Sequence, residues 1–522
     1  MLDSFFNAFS EAVSFPADQL RCLSALILAY PLAFAFWLLP NNNPTIKHIV
    51  SVAASFFLFA VIMDDMVGLT HLLGSSIAVW RIMGTVKGKW GPRIVFIGVM
   101  LHMSVSHLIR QLNDYRGYKL DHTGPQMILT MKLTSWAFSV YDGRRNPKVF
   151  LKPRAAGFRT VVNLTLLDPN IQKLTSCYVF FFPGVLVGPS FEYMDYMRFI
   201  ELSPFRDPKT GKVHWPSGRI SASFKSFMFS LISLASLAVI APKIDCLWTM
   251  EPAFKALPWV LRFIYVQFSA LGARFKYYAV WKMAEGACVL AGFGYNGPDS
   301  KAGKPRWDAT SNVDIWTYET GESIKDLADS WNKGTNMWLK HSVYFRVLAP
   351  GAKPGALQTF ATFAVSAFWH GFYPGYYLMF ISSAMALTAG KILRRHLRPR
   401  YVSATSGKTP RWYNTMGTLL TQLTINYLSM SFLILTFKDS VELWKDLFFV
   451  PHIGIIAVIA LVPIMLPLKR KSRKEQEKQD AKPEVEKVKD AVHLVADEAV
   501  EAAVESTTEV LSNAKGEKIK TS

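Results

Sequence analysis

The chain has 522 residues, of which 51% are hydrophobic, 14% aromatic and only 18% charged. A soluble chain carries about 25% charged residues, so a string of ordinary soluble domains is excluded. The net charge of +20 is spread over many short segments rather than gathered into one polar block, which argues against nucleic acid as a partner.

A helix crosses the hydrocarbon core of a bilayer with roughly 20 mostly apolar residues. In chain order, runs of this kind are expected over Cys22–Leu39, Ile49–Met63, Ile94–Ile109, Phe227–Ile240, Thr418–Phe437 and Ile453–Leu468. Shorter or more polar candidates lie near 68–80, 126–141, 176–188, 257–293, 355–369 and 375–390. The expected fold class is an all-α polytopic membrane protein with about ten to twelve membrane-embedded helices, some short or tilted. Acidic Asp3 and Glu11 stand where a signal peptide would place basic residues, so no cleaved leader is expected. Cys22, Cys177, Cys246 and Cys288 are far apart and form no Cys-x-x-Cys; neither a disulfide framework nor a zinc site is expected.

The chain divides at about residue 468. Residues 1–468 hold the apolar runs and all of the positive excess, concentrated in loops such as Lys148–Arg159, Arg206–Lys212, Lys391–Arg400 and Lys408–Arg411. Positive-inside topology with anionic-lipid contact accounts for such loops; docking of a polyanionic substrate is a second reading. The tail, 469–522, carries twelve basic and twelve acidic residues. It is expected to be disordered or weakly helical, with valines at 485, 488, 492 and 495. Its opening KRKSRK follows the last apolar run directly, as a stop-transfer cluster does, and places the C-terminus in the cytosol. Lys518 and Lys520, near the extreme end, resemble a dilysine-type signal of the endoplasmic reticulum membrane.

Candidate chemistry centres on His370, in Ala364-Val-Ser-Ala-Phe-Trp-His-Gly-Phe-Tyr-Pro-Gly-Tyr-Tyr. Ionisable groups at membrane depth are costly and mark functional sites, and an imidazole can take a proton from a hydroxyl. Gly371 and Gly375 are expected to leave backbone open beside the ring. A second candidate is Asn332, in Ser330-Trp-Asn-Lys-Gly-Thr-Asn-Met-Trp-Leu. Its amide can orient the imidazole or a reacting carbonyl; a plain turn or cap residue is the alternative. Gly292-x-Gly294-x-x-Gly297 matches a dinucleotide fingerprint by letters only, because it follows a helical run and enters a Pro-containing loop. The chain holds no His-x-x-x-x-Asp and no Gly-x-Ser-x-Gly.

Taken together, Trp331-Asn332 with Trp338-Leu339, and Ser366-Ala-Phe-Trp-His-Gly371 with Pro374-Gly-Tyr376, resemble the membrane-bound O-acyltransferase (MBOAT) family. The likeness extends to Gly188-Pro-Ser-Phe-Glu-Tyr193, Met131-Lys-Leu-Thr134, Tyr141-Asp-Gly143 and Gly292-Phe-Gly-Tyr-Asn-Gly297, and covers residues 20 to 465. It is strongest with the lysophospholipid acyltransferase branch and its broad-specificity fungal members. The resemblance implies a helical bundle around a catalytic chamber. It implies transfer of an acyl group from acyl-CoA to a lysophospholipid hydroxyl, with His370 and Asn332 as the catalytic pair. Trp331, Trp338, Trp369, Gly371, Pro189, Ser190 and Tyr193 are the substrate-binding positions it suggests. No cofactor or metal is expected, with acyl-CoA as co-substrate. A sterol, diacylglycerol or protein acceptor remains an alternative, as does a transporter. The lone sequon at Asn163 matters only if its loop is lumenal.

Overall fold

The computed structural model describes residues 2–117, 119–144, 177–207, 209–299, 302–347, 355–403 and 406–467. Asn163, the 148–159 basic loop and the 469–522 tail lie outside the described residues. The described residues are helical, with only two isolated bridges, Arg206 with Val213 and Pro298 with Pro305. The long helices are α1 (Leu2–Val13), α2 (Ala17–Trp37), α3 (Pro44–Phe57, continued by a π turn to Met63), α4 (Met66–Thr85), α5 (Trp90–Asn113) and α6 (Thr123–Gly143). There follow α7 (Tyr193–Ile200), α8 (Arg219–Ile240) and α9 (Trp259–Ala291). The C-terminal part holds α10 (Ile315–Thr320), α11 (Ile324–Ser330), α12 (Lys333–Leu339), α13 (Ala356–His370), α14 (Pro374–His396), α15 (Arg411–Ile434), α16 (Phe437–Asp446) and α17 (Val450–Met465).

Six of the described helices are long and apolar enough to cross a membrane, or seven if the α16–α17 pair, bent by 83°, counts as one span. The protein is a multi-pass membrane protein. The remaining apolar runs form helices that are shorter, such as α13, or more polar and more buried, such as α6. The run at 257–293 is one continuous helix of 33 residues, α9.

A serine stripe explains why α8 and α9 pair. Ser223, Ser226, Ser230 and Ser233 recur at helical spacing on α8 and are buried. Ser223 Oγ donates to the Gly286 carbonyl at 2.8 Å and Ser230 Oγ to the Ala279 carbonyl at 2.7 Å. Small residues let helix backbones approach closely in lipid, where no hydrophobic force draws helices together. Gly286 has no room for a Cβ, which would stand 2.0 Å from Tyr30 Oη of α2.

One expected element is absent. The apolar run at 176–188 is not a spanning helix: among its described residues, helix at 177–179 gives way to a 3₁₀ turn at Phe182–Gly184, a further turn at 185–187 and then irregular chain. Pro183 and Pro189 supply no backbone donor, and Gly184 and Gly188 favour the turn. The segment is apolar because it is buried inside protein. Its carbonyls are met by side chains: Phe180 accepts from Ser55 Oγ at 2.6 Å, and Tyr178 and Val179 accept from Lys132 Nζ at 3.3 Å. Irregular backbone survives at membrane depth only with such partners. Phe180, Phe181 and Phe182 anchor an aromatic core with Phe36, Phe199 and Phe293.

Candidate active site

His370 is the last residue of α13. Its Nδ1 lies 2.7 Å from the Ser366 carbonyl, one turn back on the same helix. A carbonyl only accepts, so Nδ1 carries the hydrogen and, in the neutral ring, Nε2 keeps its lone pair. The ring is half-buried among Trp369, Tyr376, Phe380 and Phe432, at centroid distances of 4.7, 5.9, 4.9 and 5.2 Å.

Asn332 stands between α11 and α12, at the N-cap position of α12, with φ 41° and ψ 56°. This left-handed conformation is costly for residues with a Cβ, but asparagine visits it more readily than most. The Asn332 side chain does not cap α12. That work falls to Asn312, whose carbonyl accepts from the Lys333 N–H at 2.8 Å and whose Oδ1 accepts from the Gly334 N–H at 3.1 Å.

The motifs converge through packing. Trp338 of α12 and Trp369 of α13 meet at 5.8 Å and share a core with Met100, Met103 and Met131. Trp338 Nε1 donates to Thr134 Oγ1 at 2.8 Å, and Trp369 Nε1 to the Met127 carbonyl at 3.2 Å, both on α6. Ser190 lies against α12: a Cβ on Gly334 would stand 3.1 Å from the Ser190 carbonyl oxygen. Asp142 and Arg346 pair at 2.9 Å, placing the Tyr141-Asp-Gly143 motif beside the end of the 340–347 segment.

Among the suggested substrate-binding positions, Trp338, Trp369, Tyr193 and Pro189 are buried in packing. Ser190 and Trp331 are half-buried. Of the two glycines expected to leave open backbone, Gly375 does not. At Gly375 a Cβ would strike the Ser431 carbonyl, whereas at Gly371 (φ 120°) it would meet the ring of His107 only in ordinary van der Waals contact, at 3.4 Å. Gly375 serves a close approach of α14 to α15, sealed by its N–H donating to the Leu435 carbonyl at 2.7 Å. Gly292 ends α9 as a left-handed C-cap, which accounts for the glycine-rich letters there without a nucleotide.

Sequence reasoning passed over two groups beside the site. Trp331 sits in a cage of Tyr277, Tyr278, Trp281 and Tyr318, with centroids 4.9 to 5.8 Å away. That cage is locked by Arg274, which forks onto Glu319 through two bonds of 2.8 Å. The Tyr277, Tyr278 and Trp281 spacing on one helix was the available signal. The second group is His107.

The sequence profile described as membrane-bound O-acyltransferase family matches residues 108–430. A protein of Schizosaccharomyces pombe named lysophospholipid acyltransferase is 36% identical over 91% of this chain and 92% of its own length. A Saccharomyces cerevisiae protein of the same name is 34% identical, covering 83% of this chain and 72% of the relative. Mouse membrane-bound glycerophospholipid O-acyltransferase 2 is 30% identical over 90% of each chain.

Proposed function

The chain belongs to the membrane-bound O-acyltransferase family and acylates lysophospholipids, and we propose that His370 is the general base of that transfer, with acyl-CoA as donor. The observation that carries the proposal is the Nδ1 hydrogen bond to the Ser366 carbonyl. It fixes a tautomer whose other nitrogen, Nε2, is basic and stands among aromatic rings.

In the reaction so read, Nε2 takes the proton of the lysophospholipid hydroxyl as its oxygen attacks the thioester carbonyl carbon. A C–O bond forms and a tetrahedral oxyanion develops. Its collapse breaks the C–S bond, and the departing sulfur takes the proton back from Nε2. The products are the diacyl phospholipid and free CoA, and His370 is regenerated. Direct attack needs no acyl-enzyme and no metal. Since the Ser366 carbonyl already holds Nδ1, Asn332 is assigned to the reacting groups, its NH₂ donating to the developing oxyanion. Ser190 and Trp331 are the proposed substrate contacts. Trp338, Trp369, Pro189 and Tyr193 hold the frame. Loop lysines and arginines attract the CoA phosphates.

Residues 1–468 are read as one acyltransferase domain and 469–522 as a cytosolic tail, in the endoplasmic reticulum membrane. The KRKSRK cluster after the last apolar run supports this orientation. Purified protein given labelled oleoyl-CoA and a panel of lysophospholipids, a sterol and diacylglycerol tests the acceptor. Label is expected in phospholipid. Label in sterol ester or triacylglycerol alone would overturn the reading.

A further inference from the structure

A helix leaves its last four carbonyls without partners inside the helix. At the end of α13, the Trp369 carbonyl is met from outside by His107 Nε2, at 3.2 Å. His107 belongs to α5 and is buried. On that helix Met100, Met103 and His107 fall at i, i+3 and i+7, so they share one face. The two methionines pack in the core that holds Trp369, and His107 extends the same stripe to the residue's backbone. Because a carbonyl accepts, Nε2 is the protonated nitrogen of neutral His107. The same ring lies beside Gly371, 3.4 Å from where a Cβ would stand. His107 therefore bonds the residue before His370 and lies beside the residue after it, from a helix that holds neither His370 nor Asn332.

We propose that His107 is a positioning residue for His370: its Nε2–H clamps the Trp369 carbonyl, with its ring beside Gly371, and this fixes where His370 Nε2 points. The proposal rests on His370 being the base. A reacting group displaced by about 1 Å can cost about 10²-fold in rate, so a backbone clamp one residue away bears on turnover. It does not bear on substrate capture, since His107 faces the Trp369 and Gly371 backbone.

The test compares His107→Gln with His107→Asn in the full-length enzyme, with His370→Ala beside them. Glutamine places an amide donor at the reach of Nε2; asparagine is equally polar but too short to meet the carbonyl. Steady-state kcat and KM for oleoyl-CoA and for a lysophosphatidylcholine are measured, with melting temperatures on the same preparations. Glutamine is expected to keep kcat within about threefold of wild type, and asparagine to lower it about tenfold or more with both KM values unchanged. Equal kcat in the two variants, whether both normal or both low, would overturn the clamp. So would a loss confined to KM, or one tracking a fall in melting temperature. A His370→Ala enzyme with near-normal turnover would remove the base itself and the clamp with it. A dead His370→Ala beside two fully active His107 variants would remove only the clamp.

Discussion

The two proposed partners of the site are held in opposite ways. His370 ends a regular helix of 15 residues and takes its tautomer from a carbonyl of that same helix. Asn332 sits at a break between two helices of seven residues, in a left-handed conformation. Its neighbours are fixed by others: Asn312 caps the helix that follows, and an aromatic cage grips Trp331. The proposed base is placed by local order. Asn332 is placed by the rigidity of everything around a strained link. Chemistry and folding are therefore separable at His370 and entangled at Asn332, and substitutions can tell the two ends apart.

The largest effect is expected at His370. His370→Ala removes the only proton acceptor assigned to the reaction, and general-base catalysis is worth about 10²- to 10⁴-fold. Turnover should fall by at least that lower figure while yield and membrane insertion stay near normal. The Nδ1 bond it loses is to its own helix. An alanine variant retaining half of wild-type turnover would take His370 out of the mechanism.

Asn332 needs a series, because alanine removes the amide and also suits φ 41° poorly. Asn332→Gly removes the amide but accepts the left-handed backbone without strain. If the amide stabilises the oxyanion, the glycine variant melts like wild type and loses about 10²- to 10³-fold in kcat. Asn332→Asp keeps the shape, loses the NH₂ donor and should be impaired too. Alanine should lose activity and some stability together. A glycine variant with normal turnover would reduce Asn332 to a backbone link.

Much of this contrast was legible in the sequence. The tryptophan-flanked histidine pointed to the proposed base, and the apolar runs at 22–39, 94–109 and 227–240 became α2, α5 and α8. The run at 176–188 misled because apolar continuity reports burial, and burial here is within protein; Pro183 and Gly184 were the clue. His107 left no signal. Its partner is a backbone carbonyl 262 residues away, and carbonyls have no letter in a sequence. The strain at Asn332 was equally hidden, since φ depends on which helices meet there.

A smaller, purely structural effect is expected from Thr134→Val. Thr134 Oγ1 accepts from Trp338 Nε1, and both residues are buried. Valine keeps the shape and strands the indole N–H, at a cost of about 1–3 kcal/mol. The melting temperature in detergent should drop while kcat per folded molecule changes little. A kcat loss without a stability loss would make the Trp338–Trp369 stack part of the reacting geometry.

The smallest effect is expected from deleting residues 475–522. The family match ends at residue 430, and the last helix of the described bundle ends at Met465. The segment removed carries seven basic and twelve acidic residues. Its loss makes the chain more positive and takes no cation from the loops proposed to attract CoA. Residues 469–474, KRKSRK, are kept so that the positive-inside cluster still follows the last apolar run. Activity in isolated membranes should therefore stay within about twofold of wild type, well short of the tenfold that 1.4 kcal/mol would represent. Distribution among membranes is a separate readout, since Lys518 and Lys520 are removed. A truncated enzyme that inserts normally, melts normally and has lost its turnover would place part of the tail inside the catalytic unit. The contrast between His370 and Asn332 would then be incomplete, because a third region would be shaping the site.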